Sequence, residues 1–265
     1  TRYAVALKRM LGIKVVITIR GGEFHHWSAE RPVRRQYVRR MLESADAVTA
    51  LSQSQLDDAR RLTSSLPAET LVIPNPADPD AIGRRAARGS PLTDAPSGYI
   101  LFAGRLEAEK HVELLIAAYH GLVAEYPAYP FDLIIIGSGS RTAMLQAVAL
   151  SGSGAARIRF LGVRPHEDSL ALIRDAAILV LPSGAGEGCP NVVLEAMALG
   201  TPVILSDDGP LAELVTQEVN GELFASGDAA ALQARLRALA ADPRARGRYA
   251  AAGREYLERR HRMDG

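Results

Sequence analysis

At 265 residues the chain is long enough for one or two domains. A formal net charge of +1 supplies no global field for nucleic acid, and no apolar run approaches the roughly 18 residues of a membrane span. The single Cys189 excludes an internal disulfide framework and fits a reducing compartment. Of 31 cationic residues, 28 are arginine, and the lysines are Lys8, Lys14 and Lys110. Lysine is a rare choice in this chain, which singles out Lys110.

In chain order, residues 1–12 read as the end of a helix stopped by Gly12, and Lys14–Ile19 as a buried β-branched strand. RGGEFHHW follows at that strand's carboxyl end, where α/β proteins place ligands, and offers Arg20, Gly21, Glu23, His25 and His26. Residues 31–44 form a basic amphipathic helix, with Arg34, Arg35, Arg39 and Arg40 opposed to Val38, Met41 and Leu42. A strand at Ala47–Leu51, an N-cap at Ser52, a helix over Gln53–Leu62 and a strand at Thr70–Ile73 complete a first series. Residues 77–98 are rich in turn formers and read as a linker with one short helix.

A second series begins at Tyr99. Strands are expected at 99–104, 132–137, 157–162, 177–182, 202–207 and 221–224, and helices at 111–125, 140–150, 167–175, 191–199, 210–217 and 229–241. This alternation predicts a complete doubly wound parallel domain over 99–242. An arginine-rich helix over 243–262 ends the chain.

The stretch from Ala177 to Asp207 carries the chemistry. A short apolar strand leads into a loop of small residues holding Glu187, then Pro190 and Asn191 open a helix that stops at Gly200. That helix is apolar almost all round, which predicts burial, yet Glu195 sits in its middle and needs donors from the protein or a ligand. Glu187 stands at the mouth of the same helix, where free backbone N–H groups suit a polar or anionic ligand. The residues alone leave two readings: a ligand-binding pair, or a solvated loop acid with a structural ion pair. A glycosidase pair, with carboxylates about 5–9.5 Å apart, fits poorly because one acid is held inside a helix.

The seventeen residues EGCPNVVLEAMALGTPV, from Glu187 to Val203, resemble the E-x7-E signature of family-4 retaining glycosyltransferases of the GT-B fold. The resemblance implies two Rossmann-like doubly wound domains, the first of them incomplete here: 1–76 on the acceptor side, 99–242 for the nucleotide sugar, and a helix 243–265 crossing back. VIPNPAD, from Val72 to Asp78, resembles the point where such enzymes leave their N-terminal domain. The family's earlier strands and glycine-rich loop are absent, so the chain reads as a fragment. The family's roles then fall to Glu187 facing the donor sugar and Glu195 on the ribose.

Gly104-Arg105 ends a strand and Lys110 follows five residues later; a guanidinium fork and a compact ammonium suit a diphosphate without metal. By resemblance these residues and the helix mouth (Gly188, Cys189, Pro190, Asn191, Val192) hold the donor, Gly137 walls the cleft and Val163 meets the base. Glu213 matches a family glutamate with a direct ligand role, or is an ordinary surface acid. Cys189 at the helix mouth is either a small buried filler or a thiol of lowered pKa. Asp78-Pro-Asp80 spells D-x-D but lies in the proline-rich linker, away from a strand end, so no metal is expected there. Relatives carry a histidine where this chain has Arg20-Gly21; His25, His26 or Arg20 takes that role, or the site is altered.

The resemblance implies transfer of a sugar from a UDP- or GDP-linked donor to an unknown glycan or lipid acceptor, with no other cofactor and no metal. Two alternatives stand beside it: a nucleotide-sugar-binding fragment without turnover, and another nucleotide-sugar enzyme on the same fold. The expected location is cytoplasmic, with peripheral contact of the inner membrane face and self-association through the first 73 residues.

Overall fold

The computed structural model describes residues 8, 10–21, 32–92, 98–184 and 186–261. These divide into two compact units: the described residues of 1–75 with 186–189 and 209–213, and those of 76–184, 190–208 and 214 onward.

In the first unit, strands β1 (Val16–Ile19), β2 (Ala47–Ala50) and β3 (Glu69–Val72) form a parallel sheet in the order β1-β2-β3. Helices Pro32–Ser44 and Gln53–Leu62 supply the rest of the core, in which Ile17, Ile19, Val38, Leu42, Val48, Leu56 and Ala59 are buried together. The basic helix therefore turns Val38 and Leu42 inward and leaves Arg35, Arg39 and Arg40 exposed. Ser52 caps the second helix, its hydroxyl accepting from the Gln55 N–H at 3.2 Å. The run 14–19 reads as a buried strand, but it alternates: Ile17 and Ile19 face the helices, while Val16 is 60% exposed. A run of β-branched residues favours a strand without saying whether its second face is covered.

The second unit is a six-stranded parallel sheet in the order β6-β5-β4-β7-β8-β9. Its strands are β4 (Tyr99–Ala103), β5 (Asp132–Ile136), β6 (Ile158–Gly162), β7 (Ile178–Leu181), β8 (Val203–Ser206) and β9 (Glu222–Phe224). Counted from β4, this is the dinucleotide-fold order 3-2-1-4-5-6, with the reversal between β4 and β7. The central strands are apolar throughout because helices cover both faces. Tyr99, Tyr119 and Tyr129 are buried with their hydroxyls donating to Leu172, Phe131 and Leu236 carbonyls at 2.7, 3.0 and 3.2 Å.

Helix Asn191–Leu199 buries Val193, Leu194, Ala196, Met197 and Ala198, and Gly200 closes it at φ 75°. Helices Pro79–Ala86, His166–Asp175 and Pro243–Arg260 all pack on it. Thus the short helix within 77–98 and the C-terminal helix both have packing partners inside this unit. Close approach to Pro243–Arg260 uses Gly253, where a β-carbon would lie 3.3 Å from Met197 Cγ. The helix expected over 210–217 is only Gly209–Ala212. The buried Asn220 explains the difference: its Nδ2 donates to the Leu214 carbonyl at 3.0 Å and its Oδ1 accepts from the Thr216 N–H at 2.7 Å. These bonds hold 214–220 as a turn.

Candidate functional site

In an open parallel sheet, ligands collect at the carboxyl ends of the strands beside the point where the order reverses. In the second unit that point lies between β4 and β7, so the turns after β4, β5 and β7 are the relevant ones. The first two are laced together. Gly104 N–H donates to the Ile136 carbonyl at 3.1 Å, Leu106 N–H to Ser138 at 2.9 Å, and Arg141 N–H to Leu106 at 3.0 Å. Two glycines permit this: a β-carbon would lie 1.8 Å from the Gly104 oxygen at Gly137, and 2.4 Å from the Leu106 oxygen at Gly139. The Glu107 carboxylate accepts from the Ser140 N–H at 3.0 Å and from the Ser140 hydroxyl, and these bonds hold its pKa below the usual carboxylate value. The Ser140 N–H is thus occupied by a protein carboxylate rather than open to an anion.

Arg105 leaves β4 with its side chain 72% exposed, and its Nη2 meets Glu109 Oε1 at 3.1 Å. Lys110 lies just before the following helix rather than in it. It ends a single 3-10 turn, Ala108–Lys110, and helix Val112–Glu125 begins after His111, which stands in left-handed backbone at φ 47°. The same connection is tied to the loop after β7. Gly184 N–H donates to the Glu109 carbonyl at 3.0 Å, and a β-carbon on Gly184 would lie 2.6 Å from His111 Nε2. Arg105 and Lys110 therefore sit on a short segment fixed at both flanks, beside the reversal point.

Glu195, the acid inside the apolar helix, has a partner that sequence reasoning missed. His166 Nε2 lies 2.8 Å from Glu195 Oε1, with the two side chains 46% and 17% exposed. His166 is the first residue of helix His166–Asp175, three residues beyond Val163, which is 72% exposed at the end of β6.

The loop holding Glu187 clusters with the first unit. Gln55 Nε2 donates to the Glu187 carbonyl at 3.5 Å, and a β-carbon on Gly188 would lie 2.3 Å from the Arg20 carbonyl oxygen. Asn75 Nδ2 donates to the Cys189 carbonyl at 2.7 Å. Cys189 is buried, and burial pushes its thiol pKa up, so the lowered-pKa alternative is corrected: removal from water outweighs anything that stabilises the thiolate. Glu213 accepts from the Gln53 and Ser54 N–H groups at 2.9 and 2.6 Å, capping helix Gln53–Leu62 across 160 residues of sequence. Arg20 is exposed and Gly21 half-buried. Glu23, His25 and His26 lie outside the described residues. Pro190 precedes the first helical residue Asn191, which is exposed, and Val192 is half-buried. The D-x-D acids have structural work: Asp78 Oδ1 accepts from Asp80 and Ala81 N–H at 2.9 and 3.0 Å, and Asp80 pairs with Arg254 at 3.3 Å.

Residues 84–256 match the family of glycosyl transferases group 1, and residues 1–76 match the glycosyl transferase 4-like domain. The chain belongs to the group 1 glycosyl transferases. Among curated relatives of this chain, glycogen synthase of Mycobacterium tuberculosis is 32% identical over 259 residues, 96% of this chain and 61% of the relative. Phosphatidyl-myo-inositol mannosyltransferase of Mycobacterium leprae is 32% identical over 213 residues, 77% of this chain and 53% of the relative. The chain thus spans between about half and three fifths of the length of these two relatives.

Solved glycosyltransferase structures share the fold, which is of the GT-B class. Sucrose-phosphate synthase from Thermosynechococcus elongatus superposes with a TM-score of 0.79 at 25% identity, over 98% of this chain and 66% of that one. HepE from Anabaena in complex with UDP superposes with a TM-score of 0.81 at 18% identity, over 98% of this chain and 71% of that one.

The structure brings Gly104 against Gly137 at neighbouring strand ends, with Arg105 next in the chain and Lys110 at the end of the following 3-10 turn. It also joins Glu195 to His166. No sequence signal marked His166, because it stands 29 residues before Glu195 and the pairing is made only by the packing of two helices.

Proposed function

We propose that this chain carries the donor half of a retaining glycosyltransferase that moves a sugar from a nucleoside-diphosphate sugar, UDP- or GDP-linked, to an acceptor hydroxyl. One observation carries the reading: in a chain of this family, an arginine and one of its three lysines sit on a fixed segment at the reversal point of a 3-2-1-4-5-6 sheet. HepE, a structural neighbour, is solved with UDP and with UDP-glucose, which supports a nucleotide-sugar ligand.

In this reading the acceptor oxygen bonds to the anomeric carbon as the bond from that carbon to the diphosphate breaks. The hydroxyl proton passes to a leaving phosphate oxygen, on the same face of the sugar. Negative charge grows on the diphosphate, and Arg105 and Lys110 stabilise it there without metal. Glu195 holds the ribose and Glu187 orients the sugar, as the family resemblance implies. On the acceptor side Arg20-Gly21 stands where relatives carry a histidine, and Arg20, His25 or His26 takes that role. The acceptor is a glycan or lipid hydroxyl in polysaccharide or glycolipid synthesis, reached from the cytoplasmic side of the membrane. No described helix is long and apolar enough to cross a membrane.

A coupled assay for released nucleoside diphosphate, run with candidate glycan and lipid acceptors, tests the reading. Acceptor-dependent release supports transfer. Binding of the nucleotide sugar without release favours the second reading, a donor-binding unit without turnover.

A further inference from the structure

We propose that His166 is a positioning residue for the nucleoside end of the donor, acting through Glu195. The inference rests on the reading of Glu195 as the ribose ligand. A carboxylate only accepts hydrogen bonds, so Nε2 of His166 carries the proton and donates it to Oε1 at 2.8 Å. The second carboxylate oxygen has no hydrogen-bond partner among the described residues. One oxygen is therefore anchored and the other is left for an incoming hydroxyl.

The surroundings leave this task to His166. Helix Asn191–Leu199 has no ionisable side chain except Glu195, and its inward face is apolar. The other acids at the start of His166–Asp175 are engaged elsewhere: Asp168 accepts from the Ser90 N–H at 2.8 Å, and Glu167 lies 3.9 Å from Arg88. A half-exposed pair of this kind contributes little to folding, about 0–1 kcal/mol, so stability alone gives little reason for it. What it does supply is direction. A glutamate side chain on a helix has three rotatable bonds, and a fixed donor on the neighbouring helix selects one carboxylate orientation before ligand arrives, which lowers the cost of binding. His166 also follows the exposed end of β6 at Gly162 and Val163 by three to four residues.

The test is calorimetric titration of the whole chain and of His166→Ala, His166→Gln and Glu195→Gln. The probes are whichever of UDP, GDP and ADP binds the wild type most tightly, its 2′,3′-dideoxy analogue, and inorganic pyrophosphate. His166→Ala should weaken the nucleotide roughly ten- to a hundredfold, the scale of one hydrogen bond to a charged group, and leave pyrophosphate within about twofold. The preference for the ribose form over its dideoxy analogue should shrink by the same factor. His166→Gln, which keeps a donor, should recover most of the loss. Wild-type affinity in His166→Ala, or an equal loss for pyrophosphate, overturns the proposal. If Glu195→Gln weakens the nucleotide while His166→Ala does not, the role of His166 alone falls. If Glu195→Gln changes nothing, or no nucleotide binds the wild type, the ribose reading falls and this inference with it.

Discussion

Gly137 and Gly104 approach so closely that a β-carbon on Gly137 would stand 1.8 Å from the Gly104 carbonyl oxygen. Gly137 also holds φ 123°, which L side chains rarely adopt. Gly137→Ala therefore combines a conformational cost with a forced separation of the β4 and β5 ends, expected to total roughly 2–4 kcal/mol. Gly227 is the control: it has φ 81° with nothing within 4 Å of a built β-carbon, so Gly227→Ala should cost only about 1 kcal/mol. Urea unfolding of both variants measures the difference. Equal small losses would mean that the two turns part easily.

Arg105→Ala and Lys110→Ala are each expected to weaken pyrophosphate and nucleoside diphosphate by roughly 1.5–3 kcal/mol, the usual scale for charged hydrogen bonds. Arg105→Ala should lower stability little, because the Arg105 side chain of the Arg105–Glu109 pair is 72% exposed. Lys110→Arg should fail to restore affinity, since a planar fork does not replace a compact ammonium. Titration with pyrophosphate in the presence of a chelator reads all three; affinity that collapses with the chelator contradicts metal-free binding.

How much of this was legible in the sequence differs between fold and site. Apolar runs and turn residues locate β4 to β9 to within one or two residues, because a strand buried on both faces is apolar throughout. The same signal cannot report a half-covered sheet, hence the misreading of Val16 as buried. Arg105, Lys110 and Gly137 are visible because each ends or follows a strand. The partners are not: Glu195 meets His166 across 29 residues and Glu213 meets Ser54 across 159, and only the packed chain sets those distances. Glu213 shows the consequence, since an acid that matched a ligand position spends both oxygens on a helix N-terminus.

Alkaline pH should expose a second set of buried groups. Tyr249 donates to Glu222 Oε1 at 2.6 Å, and burial first, then the Glu222 carboxylate, push its phenol up to about 12. Tyr119 is pushed up to about 12, chiefly by burial. A raised pKa means that the folded state holds the proton more tightly than the unfolded one, whose tyrosines titrate near 10. This stabilisation is complete below about pH 10 and is lost as pH rises through about 12. Thermal melts across that window should fall steeply, and Tyr249→Phe should fall less. A parallel decline in the variant would remove Tyr249 as a contributor.

On the first unit, Val16, Leu71 and Ile73 are 60%, 55% and 54% exposed, and β1 is an edge strand among the described residues. Exposed apolar edges invite association. Sedimentation velocity should show concentration-dependent self-association of the chain, reduced in the double variant Val16→Lys, Leu71→Lys. A monodisperse monomer at high concentration would contradict this.

We propose that the second series forms a nucleotide-sugar site that works without metal. The most direct test of this is calorimetric titration of the folded chain with UDP-glucose, GDP-mannose and ADP-glucose in chelator. The account predicts saturable binding of at least one of them at one site per chain, weakened by Arg105→Ala. A chain with native far-ultraviolet circular dichroism that binds none of the three would contradict it.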